Sequence, residues 1–254
     1  MEKNLTIAES FVLPSKGKIY RGFTVVPQVR LRSMTTSEEQ KRLAHSDYPY
    51  KMLCEIIDDC LLDNPGISTY DMCLGDYQFL LHKLRVVTYG SEYKMDTVCP
   101  YCGCTAHESV DLDDLPVLEY NDDILKYFEF SLPKTNHIIT LKPQTPRMLD
   151  NVSEKVREYR KRNNGSSYND PTLTYTISSL IDLVDGKAPD LFKLDQWVES
   201  LPMADVNTII SYAEKCNSLM GIDTTLQITC DICGLGYTSQ MRMTQEFFRP
   251  SLNI

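Results

Sequence analysis

The sequence contains two short cysteine loops of the same form, Cys99-Pro100-Tyr101-Cys102-Gly103 and Cys230-Asp231-Ile232-Cys233-Gly234. In each loop two residues separate the cysteines, a spacing at which both thiolates can bind one edge of a zinc ion. The glycine that follows the second cysteine tolerates the positive φ angle of a sharp turn. Each loop is therefore predicted to supply half of one tetrahedral zinc site.

Strand-like segments flank both loops, so each loop is predicted to form the tip of a β-hairpin. The first hairpin would use residues 93–98 and 105–110, and the second would use residues 226–229 and 237–243. Two hairpins that face each other across one zinc ion form a zinc ribbon. The predicted zinc ligands are the four loop cysteines, Cys99, Cys102, Cys230 and Cys233.

The two loops lie far apart for a zinc ribbon, because 127 residues (103–229) separate them. Paired C-x2-C motifs are usually about 15–20 residues apart. Since the cost of loop closure grows slowly with length, one shared zinc is the main interpretation. Two pairs of free thiols, and a disulfide or redox pair, are the alternatives. Cys104 and His107 follow the first loop, and hairpin geometry predicts that Cys104 lies beside the site without binding metal.

Composition limits the class of protein. The chain has 254 residues, a formal net charge of −9 and nine cysteines. No apolar run reaches the length of about 18 residues that a membrane span requires, and no signal peptide is expected. An odd number of cysteines, four paired for metal and five scattered, is typical of a reducing cytoplasm. The negative charge argues against a general nucleic-acid binder, which needs a basic face.

The predicted fold class is α+β with a nested organisation. An N-terminal region of strands and helices spans residues 1–98, and the split zinc ribbon uses residues 99–110 and 226–245. A mainly helical domain, residues 111–225, is inserted between the two halves of the ribbon. Zinc bound by both halves would hold the two ends of this insertion together.

Local signals predict several element boundaries. The hydroxyl and carboxylate residues of Thr35–Glu39 indicate the start of a helix. Asp76 is a candidate cap for a later helix that ends at Gly90. Within the insertion, residues 127–132 and 137–142 are predicted strands. One helical stripe is predicted from the apolar residues Leu173, Ile177, Leu180 and Ile181.

Residues 1–35 are predicted to be extended around a turn at Pro14–Gly17. Two interpretations of these strands are equally open. They could present an edge to a partner protein, in which case the rest of the chain would fold without residues 1–20. Alternatively, they could pair within the chain's own sheet.

Common catalytic motifs are absent from the sequence. It contains no glycine-rich phosphate loop, no H-E-x-x-H and no G-x-S-x-G, and its four histidines are scattered over different predicted elements. A catalytic zinc keeps an open coordination position, whereas four thiolates would fill the coordination shell. The sequence therefore predicts a structural metal and no enzymatic activity.

Three stretches, taken together, resemble one protein family. They are Leu13–Tyr20, Gly75–Arg85 with the adjoining Tyr89–Tyr93, and the first cysteine loop directly after them. In these stretches the chain is similar to the baseplate hub subunits, or hub assembly proteins, of T-even-like contractile-tailed bacteriophages. The resemblance covers about residues 11–112 and the second cysteine loop.

This resemblance implies a non-enzymatic role in building the tail baseplate around its central hub. Other baseplate and tail proteins would be the partners in a heteromeric assembly. The expected locations are the host cytoplasm during assembly and then the baseplate of the virion. Two other functions stay open, an enzyme of unrecognised type and a zinc-ribbon module that acts on nucleic acid or the transcription apparatus. The basic run Lys155–Arg162 would be the footprint of the nucleic-acid module.

One stretch of the insertion is crowded with apolar residues, which are Leu191, Phe192, Leu194, Trp197, Val198 and Leu201. A surface helix of a monomer has a single apolar stripe, so part of this face is predicted to contact another protein chain. Trp197 is the candidate partner-binding residue, because tryptophan is enriched at the energetic centres of interfaces. The alternative is that this stretch packs only on neighbouring helices of its own chain.

Overall fold

The computed structural model describes residues 8–163, 169–241 and 245–248. Its α-helices are α1 (Thr36–Leu43), α2 (Pro49–Cys60), α3 (Leu74–Tyr89), α4 (Pro146–Arg162), α5 (Thr172–Leu180), α6 (Leu191–Glu199) and α7 (Met203–Ser218). Its strands are β1 (Ala8–Val12), β2 (Gln28–Arg32), β3 (Glu92–Val98), β4 (Thr105–Asp111), β5 (Val117–Leu118), β6 (Glu129–Ser131), β7 (Ile138–Leu141), β8 (Ile181–Val184), β9 (Gly221–Ile222), β10 (Thr225–Thr229) and β11 (Gly236–Gln240). This mixture of helices and small sheets confirms the α+β class.

The N-terminal strands pair with each other. β1 and β2 run antiparallel, and the alternation of β2 buries Val29 and Leu31 against the helices. Leu13 and Ser15, in the following turn, are fully buried. This arrangement confirms pairing within the chain's own sheet, and the expectation that the chain folds without residues 1–20 loses its basis.

Helix α1 begins where the sequence predicts. The Thr35 side chain accepts a hydrogen bond from the Ser37 N–H, and the Glu38 carboxylate accepts from the Thr35 N–H at 2.7 Å. Such a capping box satisfies backbone N–H groups that a helix start leaves without partners. The hydroxyl-then-carboxylate signal therefore identified this boundary correctly.

Helix α3 is the central element of the N-terminal region. Leu80, Leu81 and Leu84 are buried along it, and Gly90 ends it with a φ angle of 86°, as predicted. The predicted capping role of Asp76 is wrong. The N-cap residue is Cys73, and the Asp76 carboxylate is buried beneath the N-terminal turn.

The inserted region combines helices α4–α7 with five short strands. β6, β7 and β8 form an antiparallel sheet, and β6 and β7 lie within the two predicted strand segments. The prediction that the helical stripe continues to Ile181 is wrong, because α5 ends at Leu180 and Ile181 begins β8. Pairing of β8 with the edge of β7 outweighs the helical periodicity at this point.

In the part of the chain that the structure describes, buried apolar residues form three separate clusters. The first joins the N-terminal strands and α2–α3 to Phe247 and Phe248 near the C-terminus. The second lies within the insertion, together with Ile19 and Cys73. The third is small and lies between the two cysteine hairpins. The division of the chain into an N-terminal region, a split ribbon and an insertion stays a prediction. None of the helices in the described ranges is long and apolar enough to cross a membrane.

Candidate metal centre

The two predicted hairpins are present and carry the cysteines at their tips. β3 pairs with β4 in one hairpin, and β10 pairs with β11 in the other. Each loop is closed by the same hydrogen bond, from the Gly103 N–H to the Cys99 oxygen at 2.9 Å and from the Gly234 N–H to the Cys230 oxygen at 2.8 Å. The φ angles of the two glycines are 73° and 72°. The two loops thus have the same backbone form, as their sequences predict.

The structure brings the four predicted cysteines together. Their Sγ atoms all lie within 4.8 Å of one another; the four residues are Cys99, Cys102, Cys230 and Cys233. The closest contacts cross between the hairpins, 3.8 Å from Cys99 to Cys233 and 3.6 Å from Cys102 to Cys230. In a tetrahedral site with Zn–S bonds of about 2.3 Å, neighbouring sulfurs lie about 3.8 Å apart. The four sulfur atoms are therefore close enough together to bind one metal ion.

A disulfide does not explain the cluster. A disulfide joins sulfur atoms at about 2.05 Å, far closer than the shortest separation between the hairpins. All nine cysteines of the chain are free thiols in the structure. Cys104 lies outside the cluster, as predicted, and the His107 ring contacts the Asp96 carboxylate at 2.6 Å instead.

Local backbone dipoles favour the thiolate form at Cys230. The N–H groups of Cys233 and Ile232 point at the Cys230 sulfur and lower the pKa of this thiol to about 7. At Cys233 the N–H of Leu235 is outweighed by desolvation and by contacts with the other three thiols, which raise the pKa of this thiol, so a metal would have to displace its proton. Cys99 and Cys230 are buried, whereas Cys102 and Cys233 are exposed. The site is thus open to solvent on one side.

The ribbon has only a small apolar core. It contains Ile228 and Tyr237 packed against the two buried cysteines, with the Tyr237 hydroxyl 2.7 Å from that of Thr97. Two hairpins with so little buried apolar surface are marginal without a further cross-link. A metal bound between them would supply that cross-link.

The comparison with protein families bears directly on the function. The family described as "T4 bacteriophage base plate protein" matches residues 6–249 of the chain. The chain belongs to this family. No curated protein and no solved structure is significantly similar to it. The match includes both cysteine loops and the whole insertion, so family membership applies to the nested arrangement as a unit.

Two of the sequence stretches that resemble the hub proteins meet in one buried network. The Asp76 carboxylate accepts hydrogen bonds from the N–H and hydroxyl of Ser15 and from the Tyr20 hydroxyl, the last at 2.6 Å. Burial raises the pKa of Asp76 and that of Tyr20. Desolvation also raises the pKa of the neighbouring Cys73 thiol, which makes it a poor nucleophile. These residues hold the N-terminal turn on α3.

Arg85, from the same sequence block, connects three segments. Its guanidinium donates to the backbone oxygens of Gly90 at 2.7 Å, of Glu92 at 3.3 Å and of Phe247 at 3.1 Å. Phe247 and Phe248 are buried beside it. Sequence reasoning missed this anchor, because no local pattern relates the C-terminal aromatic pair to α3.

The predicted partner-binding residue, Trp197, lies half-buried on α6. Its ring meets His137 edge-on with centroids 5.7 Å apart, and it borders a cavity of about 220 Å³. Leu194 and Val198 are buried on the inner face of the helix, whereas Phe192 is 95% exposed. The crowded stretch therefore has both a packed stripe and exposed apolar residues.

The basic run Lys155–Arg162 lies on α4 and is largely paired. Arg157, Arg160 and Arg162 form ion pairs with Asp47, Asp170 and Glu158. Lys155 lies over the ring of Tyr175. These cations are balanced by carboxylates and an aromatic ring of the protein itself.

Proposed function

We propose that this protein is a structural or assembly component of the central hub region of a contractile phage tail, and that it holds a structural zinc ion. The observation that carries the proposal is the family match over residues 6–249, together with the four clustered cysteines. Its partners would be other baseplate and tail proteins. The protein would meet them in the host cytoplasm during assembly and would then stay in the baseplate.

The geometry of the cysteine cluster supports a structural metal. Four thiolates complete a tetrahedral shell and leave no position for a substrate or a reactive water. The metal would join two hairpins that are distant in sequence and poor in apolar contacts of their own. Such a closed shell, in a member of a family of baseplate proteins, supports a non-enzymatic role.

The assignment to the hub rests on the motif resemblance. Ser15, Tyr20 and Asp76 come from two of the stretches that resemble hub proteins, and they form one buried network. These motifs therefore contribute to the folded scaffold of the protein. We expect hub relatives to have this scaffold in common. The nucleic-acid alternative has less support, because the basic run on α4 is paired with carboxylates and the net charge is −9.

The location can be tested with phage that carry an affinity tag on this chain. Disrupted tails would be separated into hubs and peripheral wedges, and each fraction probed for the tag. We expect the tag in hub-containing fractions, at a fixed ratio to the other hub proteins. A tag found only on wedges would contradict the hub assignment, and a tag found only with phage DNA would favour the nucleic-acid alternative.

Trp197 is the proposed partner contact within the insertion. Because its side chain is only half-buried, Trp197→Ala should reduce incorporation into baseplates while costing the isolated protein little stability. Leu194→Ala, on the inner face of the same helix, is the contrasting variant and should lose about 2–5 kcal/mol of unfolding free energy. If Trp197→Ala destabilises the isolated chain as much as Leu194→Ala, the partner contact is wrong.

A further inference from the structure

The tip of the zinc ribbon exposes apolar side chains around the cysteine cluster. Val98 is 64% exposed, Tyr101 62%, Ile232 73% and Leu235 48%. Val98 and Tyr101 adjoin the cysteines of the first loop, and Ile232 and Leu235 lie within two residues of Cys233. We call these four residues the ribbon-tip patch. The small core of the ribbon is formed by other residues, so the patch is not used in folding the described chain.

The exposed edge of the cluster adds negative charge to this patch. Cys102 and Cys233 are the two exposed cysteines, and each directly follows a patch residue, Tyr101 or Ile232. A zinc ion with four thiolates has a formal charge of −2, from two positive and four negative charges. Exposed thiolate sulfurs accept hydrogen bonds and attract cations.

The hairpins themselves are also acidic. β3, β4 and the second cysteine loop carry five carboxylates and one lysine, a formal net charge of −4 without the metal. The lysine, Lys94, already contacts Glu92 at 3.6 Å. The carboxylates are Glu92, Asp96, Glu108, Asp111 and Asp231. Asp231 lies in the second loop itself and Asp96 and Glu108 lie along the first hairpin, whereas Glu92 and Asp111 lie at its far end.

We propose that the ribbon-tip patch is a docking surface for a segment of another tail protein that has an apolar centre and several Lys or Arg residues. The apolar side chains would contact the centre of the segment, and the thiolates and carboxylates would contact its cations. The proposal rests on the proposed zinc site, which supplies part of the negative charge. It goes further by defining the chemistry of one partner.

The negative charge of the tip favours a basic protein segment over two other possible occupants, a second copy of the chain and a nucleic acid. A second copy of the chain would place two anionic tips against each other, and like charges at an interface are unfavourable. Nucleic acid is excluded for the same reason, because its phosphates would face the thiolates and carboxylates. A basic protein segment is the occupant that complements both the apolar patch and its charge.

The test uses the zinc-loaded full-length protein and an array of overlapping peptides that covers the tail proteins encoded by the same phage. The double variant Tyr101→Ser/Ile232→Ser removes apolar surface without touching a cysteine. Phe23→Ser, which removes a comparably exposed aromatic residue (58% exposed) outside the ribbon, is the matched control. Zinc content and thermal unfolding of each variant establish that the ribbon remains folded.

We expect the bound peptides to be basic with apolar centres and to bind less tightly as salt increases. The double variant should bind them at least tenfold more weakly, whereas Phe23→Ser should bind like the wild type. Asp231→Lys should also weaken binding, because it reverses one of the charges beside the patch.

Several results would overturn the proposal. They are equal binding by the double variant and the wild type, bound peptides that are neutral or acidic, dimerisation through the tip, and binding of single-stranded DNA that the double variant loses. A protein that carries one zinc but binds none of the peptides would overturn the docking surface alone. A protein without stoichiometric zinc would contradict the proposed metal site as well.

Discussion

At Asp76 one buried carboxylate holds the N-terminal turn against the central helix. Asp76→Ala would leave the Ser15 N–H, the Ser15 hydroxyl and the Tyr20 hydroxyl without their acceptor. Buried donors without partners are costly, so we expect a loss of about 3 kcal/mol or more in the free energy of unfolding. Chemical denaturation of the purified protein measures this loss.

The matched control is Asp123→Ala, which removes an exposed carboxylate paired with Lys126 at 2.5 Å. Exposed ion pairs contribute little because water already solvates both charges, so this variant should lose far less stability. Equal losses in the two variants would show that the buried network around Asp76 is not important for stability.

His82 makes the stability of the fold depend on pH. Burial, followed by the nearby Lys83 cation, lowers the pKa of His82 to about 4. The unfolded chain binds a proton at this histidine near pH 6.5, whereas the folded chain does so only near its lowered pKa, so acid favours unfolding. Between pH 7 and pH 5 this group should cost the folded state about 2 kcal/mol.

The measurement is the free energy of unfolding at several pH values for the wild type and for His82→Leu. Leucine has a similar size and no proton to bind, so the difference between the two proteins isolates His82 from other titrating groups. We expect the wild type to lose stability relative to the variant as pH falls from 7 to 5. Parallel pH dependences would contradict the assignment.

At the scale of the elements, the short turn Gln245–Phe248 closes the N-terminal region. Phe247 is fully buried, and its backbone oxygen accepts a hydrogen bond from Arg85. Phe247→Ala should therefore cost about 3–5 kcal/mol of unfolding free energy, as large truncations in a core do. Phe192→Ala changes the same residue type at a 95% exposed position and should stay within about 0.5 kcal/mol of the wild type. Calorimetry of both variants tests this contrast, and similar melting temperatures would contradict it.

Elements with local signals were predictable from the sequence, and those that depend on distant partners were not. The capping box at Thr35 and the end of α3 at Gly90 follow from side chains within a few residues. β8 forms because β7 offers it an edge, although Ile181 also fits the stripe of α5. Asp76 is a residue type that often caps helices, but its carboxylate instead accepts a hydrogen bond from the Ser15 N–H in the buried turn.

For the whole molecule, metal binding should determine whether the two cysteine hairpins stay together, since β5 and β9 already pair the two ends of the insertion. Replacing any one of Cys99, Cys102, Cys230 or Cys233 by serine should reduce bound zinc and lower the melting temperature sharply, because metal binding and folding are coupled. Cys104→Ser is the matched control and should keep one zinc per chain. Elemental analysis and thermal melting measure both effects. Loss of zinc in Cys104→Ser, or a wild type without stoichiometric metal, would contradict the site.

The clustering of the four cysteines was predictable because its signal is chemical and does not depend on knowing the fold between the two loops. Two C-x2-C loops indicate shared ligation even across 127 residues (103–229), since closing a longer loop adds little to the cost. The ribbon-tip patch carries no such signal, because Tyr101 and Ile232 have the same sequence character as buried residues. Only their exposure in the folded chain distinguishes them.

The distance between the cysteine loops has a consequence for synthesis on the ribosome. At about 5–20 residues per second, the first loop emerges roughly 6–25 seconds before the second, and for that interval it is half a site. A chain that stops early cannot close the ribbon, and it also lacks the aromatic pair that packs on α3. We therefore expect synthesis of the second loop to be the event that matures the ribbon, so that chains terminated before it are kept out of the tail. Zinc retention by a chain truncated before Cys230 would show that maturation does not wait for the second loop.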